Sequence, residues 1–132
     1  MTDEDAFLDC TRWQTMLEQL SDSGIALGAG IGLLRKEAFA ARKGSLVILR
    51  QEASKMRALI REYSGEPGAD VAVLLVLDAA AVDTLQTRGL TAARALGRRG
   101  SLQPYILKTM DQLEAAGLDD FIEDLGLTFP TH

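Results

Sequence analysis

The sequence predicts an all-α domain, a bundle of five or six helices, from two observations of spacing and one of composition. Apolar residues recur every three or four positions over residues 27–41 and again over 46–63, which is the period of one helix face. Ala and Leu, both strong helix formers, are frequent, whereas aromatic residues make up only 5% of the chain. With 132 residues, we expect a single helical domain over 1–132.

The first half of the chain divides into three predicted helices. The acidic run after Thr2 is typical of a helix start, and this helix ends before Gly24. A second helix extends to Gly44, and a third begins at Ser45. The third has the most regular pattern, and its buried face is expected to hold Leu46, Leu49, Met56, Ile60 and Tyr63.

The second half begins after the turn-forming segment 64–68, which contains two glycines and a proline. A buried segment follows at 71–77, then a short helix over 90–96 and a longer helix over 101–117. Residues 71–77 are apolar throughout, so they also suit a buried parallel strand. An open α/β sheet with strands near 24–28, 45–50 and 71–77 is therefore the alternative fold.

The glycines of the first half have two interpretations. Gly24, Gly28 and Gly32 recur every fourth residue, and such a stripe lets a neighbouring helix approach closely. The run from Gly28 to Gly32 also resembles the turn of flavin and nicotinamide Rossmann domains, over residues 24–52. That resemblance implies a dinucleotide site, but Leu33 stands where the third glycine belongs, so we prefer helix packing.

Residues 71–118 resemble a bacterial winged-helix module. The resemblance implies a recognition helix after Ser101 and phosphate contacts near it. The candidate nucleic-acid contacts are Arg98, Arg99 and Lys108. The acidic segment 119–124 follows directly and opposes the phosphate field, so DNA is the alternative partner.

Several functions are disfavoured by composition. The net charge is −5, the single Cys10 precludes an internal disulfide framework, and the only histidine is the terminal His132. We therefore expect no catalytic, cofactor or metal site, and no membrane span. The short segments 34–38, 43–46 and 58–60 loosely resemble bacterial flagellar export chaperones, which bind partner helices.

The sequence thus predicts a non-enzymatic protein–protein interaction module of the adaptor, chaperone or regulator type. Its partner is expected to be another protein, and a second copy could complete its apolar faces as a homodimer. We expect a bacterial, cytoplasmic protein.

Overall fold

The computed structural model describes residues 6–18, 30–52, 56–68, 70–89, 92–115 and 117–118. Its central feature is a mixed five-stranded sheet. The prediction of an all-α bundle is therefore wrong, and the open α/β sheet that was the alternative is the fold class observed. Of the three strands in that alternative prediction, those near 45–50 and 71–77 are observed. The third was expected at 24–28, which lies outside the described residues, and the first described strand begins at Gly30.

The described chain contains five strands and five helices. The strands are β1 (Gly30–Arg35), β2 (Gly44–Gln51), β3 (Met56–Tyr63), β4 (Val71–Leu77) and β5 (Leu102–Ile106). The helices are α1 (Cys10–Glu18), α2 (Lys36–Ala41), α3 (Ala79–Arg88), α4 (Ala93–Arg98) and α5 (Met110–Ala115). The strand order is β3-β2-β1-β4-β5. β1 and β4 are parallel, and all other neighbours are antiparallel.

The segment predicted as the third helix is a β-hairpin. β2 and β3 pair with Val47 opposite Ile60 and Leu49 opposite Ala58. β2 is buried on both faces from Leu46 to Leu49, whereas β3 alternates between buried and open positions. A continuously apolar strand followed by an alternating one reproduces helical spacing by coincidence.

Four of the five positions that were predicted to be buried in that segment are buried, and one is exposed. Leu46, Leu49, Met56 and Tyr63 are buried, but within strands rather than on a helix face. Ile60 is 48% exposed, so the prediction that it belongs to the core is wrong. By strand alternation it lies on the same side of β3 as Met56 and Ala58.

The main core lies between the sheet and four of the five described helices. Trp13 of α1, Leu75 of β4 and Leu85 of α3 are fully buried in it. The Trp13 indole Nε1 donates a hydrogen bond of 2.6 Å to the Phe7 carbonyl, so the buried polar atom of this large side chain is satisfied. We call this side of the sheet the helix face.

The other side of the sheet, the α2 face, has a smaller core. Leu34, Ile48 and Leu74 are buried there, and Ala38 and Phe39 of α2 pack against them. Gly32 also lies on this face, because it pairs with Ile48 and Leu74. A Cβ at this position would lie 3.0 Å from Val71 Cγ1 and 3.1 Å from Leu74 Cδ1.

At Gly32, the one described member of the predicted stripe, the glycine has a different basis from the one predicted. Gly32 makes room for side chains of neighbouring strands, not for a second helix. Gly24 and Gly28 lie outside the described residues.

Both edges of the described sheet are shielded against strand addition. At the β3 edge, the Gln14 side chain accepts from the Ala58 N–H and donates to the Met56 carbonyl, each at 3.0 Å. At the β5 edge, the Leu107 N–H donates to the Ala72 carbonyl of β4, and the Ser101 carbonyl accepts from the N–H of Asp78, which directly follows β4. Successive residues of a strand direct their backbone N–H and C=O groups to opposite sides. The backbone of Pro104 therefore faces away from β4, and proline has no N–H that an added strand could accept. Within the described ranges, no helix has the length and apolarity needed to cross a membrane.

Candidate functional site

The carboxyl ends of β1 and β4 form a crevice at the centre of the sheet. These two strands are adjacent and parallel, so they end at the same edge. From β1 the chain enters α2 and the α2 face, and from β4 it enters α3 and the helix face. Neighbouring parallel strands whose connections diverge in this way define a topological switch point, where open α/β sheets bind ligands.

Two adjoining cavities open at this crevice and share Arg35 in their linings. The first, which we call the α3 cleft, has a volume of about 270 Å³. It is lined by Ala6, Arg35, Ala79, Val82, Asp83 and Gln86. The second, the β2 cleft, has a volume of about 220 Å³. It is lined by Phe7, Leu8, Arg35, Glu37, Ala38, Lys43, Gly44 and Ser45.

Arg35 is the residue that both clefts share. It is the last residue of β1 and directly precedes α2. Strand alternation places it on the helix face with Ile31 and Leu33. Its side chain is 22% exposed, and Nη2 lies 3.8 Å from Glu37 Oε2. A guanidinium keeps its charge at all physiological pH values and can bind a carboxylate or phosphate through two parallel hydrogen bonds.

Gln86 is the most unusual polar residue of the α3 cleft. It is only 8% exposed and lies on the buried side of α3. Its Nε2 donates to the Ala6 carbonyl at 2.7 Å. Its Oε1 is buried, and none of the described residues donates a hydrogen bond to it.

Asp78 and Asp83 complete the α3 side of the crevice. Asp78 is the N-cap of α3, and its Oδ1 accepts from the Ala81 N–H at 2.8 Å, which fixes where the helix begins. Asp83 lies one turn further along and lines the α3 cleft. Its side chain is 74% exposed, and Oδ1 lies 3.8 Å from Arg12 Nη2.

The structure does not support the resemblance to a dinucleotide fingerprint. Such glycines follow the first strand and form the turn into a helix. Here Gly30 and Gly32 lie within β1 itself, and this strand passes directly into α2 between Arg35 and Lys36. The glycines are therefore at the wrong end of the strand to hold a pyrophosphate.

The winged-helix geometry is also absent from the described residues. In the segment 101–117, which was expected to be one helix, Leu102–Ile106 form the strand β5, which carries Gln103 and Tyr105, and Met110–Ala115 form the short helix α5. Arg98 and Arg99 are exposed at the end of α4, and Lys108 is half-buried after β5. Arg98 is the last residue of α4, whereas Arg99 and Lys108 lie outside the described helices, so the three candidate contacts do not share one helix that could enter a groove.

Among the residues that the structure describes, the inventory of reactive groups is small. No three His, Cys, Asp or Glu side chains there form a group that could hold a metal ion. Cys10 is half-buried, and burial together with the neighbouring Asp9 carboxylate raises the pKa of its thiol. A thiol with a raised pKa is a weaker nucleophile at neutral pH. That the protein is not an enzyme stays a prediction.

Sequence reasoning missed both Arg35 and Gln86. Arg35 could have been found as the first charged residue after the apolar run 30–34, where a strand must end. Gln86 carries no such signal, because it becomes notable only through burial against Ala6, 80 positions away. No protein-family model matches this chain, and a search of curated proteins gave no match either.

Proposed function

We propose that the protein binds a small molecule bearing an acidic group in the crevice at the carboxyl ends of β1 and β4. The observation that carries the proposal is the position of Arg35, a half-buried cation at the switch point that lines both clefts. Lys43 adds a second cation to the β2 cleft, so that its lining holds two cations and one carboxylate, that of Glu37. Fixed positive charge in a concave site at a switch point favours anionic ligands.

The proposed ligand is small. The two clefts, at about 220 and 270 Å³, lie just below the range of roughly 300–1,000 Å³ that is typical of sites for drug-sized ligands. A complete dinucleotide is therefore a poor candidate, and a small carboxylate or a single phosphate group suits the volume better.

We also propose a cytoplasmic location, which the free thiol of Cys10 supports, since reducing compartments preserve thiols.

Isothermal titration calorimetry with succinate, inorganic phosphate and AMP tests this proposal, with glycerol as the neutral probe. We expect saturable binding of at least one acidic probe and a melting temperature that rises with occupancy. Arg35→Gln should abolish that binding, and Arg35→Lys should weaken it, because an ammonium cannot form the paired contact. Arg94→Gln is the matched control, since Arg94 is exposed on α4 and lines neither cleft. Binding of none of the acidic probes would refute the proposal.

A second candidate function is association with another copy of the chain, as part of the predicted protein–protein interaction role. The observation that favours it is a small apolar patch at the β5 side of the α2 face. Tyr105 and Leu107 are 37% and 41% exposed, and the Phe39 ring lies 5.0 Å from that of Tyr105. One such patch is sufficient for an isologous dimer.

Sedimentation velocity across a concentration series tests this second candidate. We expect a concentration-dependent dimer that Tyr105→Ser with Leu107→Ser removes. A monomer at all concentrations would exclude self-association through this patch.

A further inference from the structure

The Gln86 amide is held in one orientation. Its Nε2 donates to the Ala6 carbonyl at 2.7 Å, and a carbonyl accepts only from the NH₂ side of an amide. The opposite atom, Oε1, must therefore remain an acceptor. It is buried in a residue that is more than nine-tenths buried, without a donor among the described residues.

A buried acceptor without a donor is costly, and native proteins pair nearly all such atoms. Gln86 lines the α3 cleft, so a donor group on a molecule bound there can satisfy Oε1. The chemistry of an amide oxygen sets the class of that group: an N–H or O–H, and most favourably a charged one.

The charges around the α3 cleft indicate which donor suits it. Arg35 gives the lining a positive charge, and Asp83 gives it a negative one. Asp83 is 74% exposed and lies 3.8 Å from Arg12, so it can contribute attraction at the mouth of the cleft. A lining with one cation, one anion and one neutral acceptor is complementary to a molecule that carries both signs of charge.

We propose that the α3 cleft binds a small zwitterion, in which a carboxylate contacts Arg35 and a primary ammonium group donates to Gln86 Oε1. This inference rests on the proposed function, because it uses Arg35 as the anionic anchor. It adds that the ligand contains a nitrogen donor, and that Gln86 is the residue that selects for it.

Matched probes separate charge from hydrogen-bond donation. Glycine, β-alanine, γ-aminobutyrate and δ-aminovalerate vary the spacing between the two charged groups. Each has an N-trimethyl counterpart that keeps both charges but has no N–H, and a nitrogen-free carboxylate of the same length. We expect at least one primary amine to bind about tenfold or more tightly than its N-trimethyl counterpart, the ratio for a lost hydrogen bond to a charged donor.

Variants assign this preference to Gln86 and control for the bulk of the methyl groups. Gln86→Met keeps the side chain's approximate size but has no amide oxygen, so the preference should fall to within about threefold. The affinity of the nitrogen-free carboxylates, measured on the same variant, is the reference for this loss, because they contact Arg35 and not the Gln86 oxygen in the proposed site. Asp83→Asn leaves Gln86 in place and should weaken the amines more than the carboxylates. It also provides a test if Gln86→Met does not fold.

The outcomes distinguish the two proposals. If simple carboxylates bind but amines and N-trimethyl analogues bind equally, the zwitterion inference is wrong and the proposed anionic site stands. A preference for amines that survives unchanged in Gln86→Met would also overturn it. If no acidic probe binds the unmodified protein, both proposals fail together.

Discussion

The two faces of the sheet reach a similar degree of burial by different means. On the helix face, four of the five described helices contribute apolar side chains to one continuous core. On the α2 face, the only described helix in contact is the six-residue α2, which contributes Ala38 and Phe39. The central strands are nevertheless buried there, with Leu34, Leu46 and Ile48 at 0% exposure.

Close packing between strands and ion pairs compensate for the small helical contribution to the α2 face. Gly32 removes a side chain so that neighbouring ones can fill the space. Where the apolar area ends, Arg61 binds the Asp70 carboxylate through two bonds of 2.8 and 2.9 Å, and Arg50 approaches the same carboxylate at 3.4 Å. The comparison indicates that substitutions on the helix face should act through lost apolar burial, and those on the α2 face through overpacking or lost charge pairing.

The largest effect is expected on the helix face. Leu75 is fully buried in the centre of the sheet, so Leu75→Ala should reduce the free energy of unfolding by about 2–5 kcal/mol through lost burial and a residual cavity. Ile60→Ala is the matched control, because Ile60 is 48% exposed, and it should cost less than about 1 kcal/mol. Urea denaturation measures both, and equal losses would contradict the observed strand register.

Overpacking the α2 face should have the next largest effect. Gly32→Val places carbon atoms against Val71 and Leu74, where even a Cβ would lie 3.0–3.1 Å away, and should destabilise by about 1–3 kcal/mol. Gly97→Ala is the control: its Cβ would meet only the Leu102 carbonyl at 3.8 Å. That change in α4 should stabilise by about 0.4–1 kcal/mol. Melting temperatures that shift in the same direction for Gly32→Val and Gly97→Ala would refute the conclusion that Gly32 is needed for close packing.

On the helix face, Gln14 of α1 also covers the β3 edge of the sheet. Gln14→Ala removes the donor and acceptor that satisfy Met56 and Ala58, and should cost about 1–2 kcal/mol. It also exposes a strand edge that can pair with another chain. Static light scattering should therefore show more aggregation than for Gln103→Ala, an exposed position on β5. No increase relative to this control would show that Gln14 does not protect the edge.

The smallest effect, and the one that depends on pH, is expected at Asp70. The Arg61 hydrogen bonds, with smaller contributions that include Arg50, lower the pKa of Asp70 to about 2. The unfolded pKa is near 3.9, so the stabilisation is present above about pH 4 and is lost as the pH falls towards 2. Allowing for solvent screening, Asp70→Asn should cost about 1 kcal/mol at pH 7.

The difference between the Asp70→Asn variant and the unmodified protein should close near pH 2. Glu62→Gln, an exposed position on β3, should change stability at pH 7 by less than about 0.5 kcal/mol. A difference for Asp70→Asn that stays constant from pH 7 to 2 would exclude charge pairing as its cause.

The site shows how far sequence reasoning extends. Burial of residues 71–77 was predicted whichever secondary structure they adopted, and all seven are buried. The crevice could not be predicted in the same way, because Arg35 and Gln86 are 51 positions apart in the chain and neither belongs to a recognisable motif. They become neighbours only when β1 and β4 pair in parallel.

The sequence by itself determined which segments are apolar and where the chain turns. The segment 64–68 separates two strands as its glycines and proline indicated, and Gly44 follows a helix with a φ of 147°, which other residues rarely adopt. Only the tertiary structure decided that 46–63 is a hairpin. An apolar residue gains the same free energy of burial on a helix or a strand, so spacing alone could not distinguish them. The choice depended on β1, which pairs with β2 from Val47 to Arg50, and such backbone pairing joins segments that are separate in the sequence.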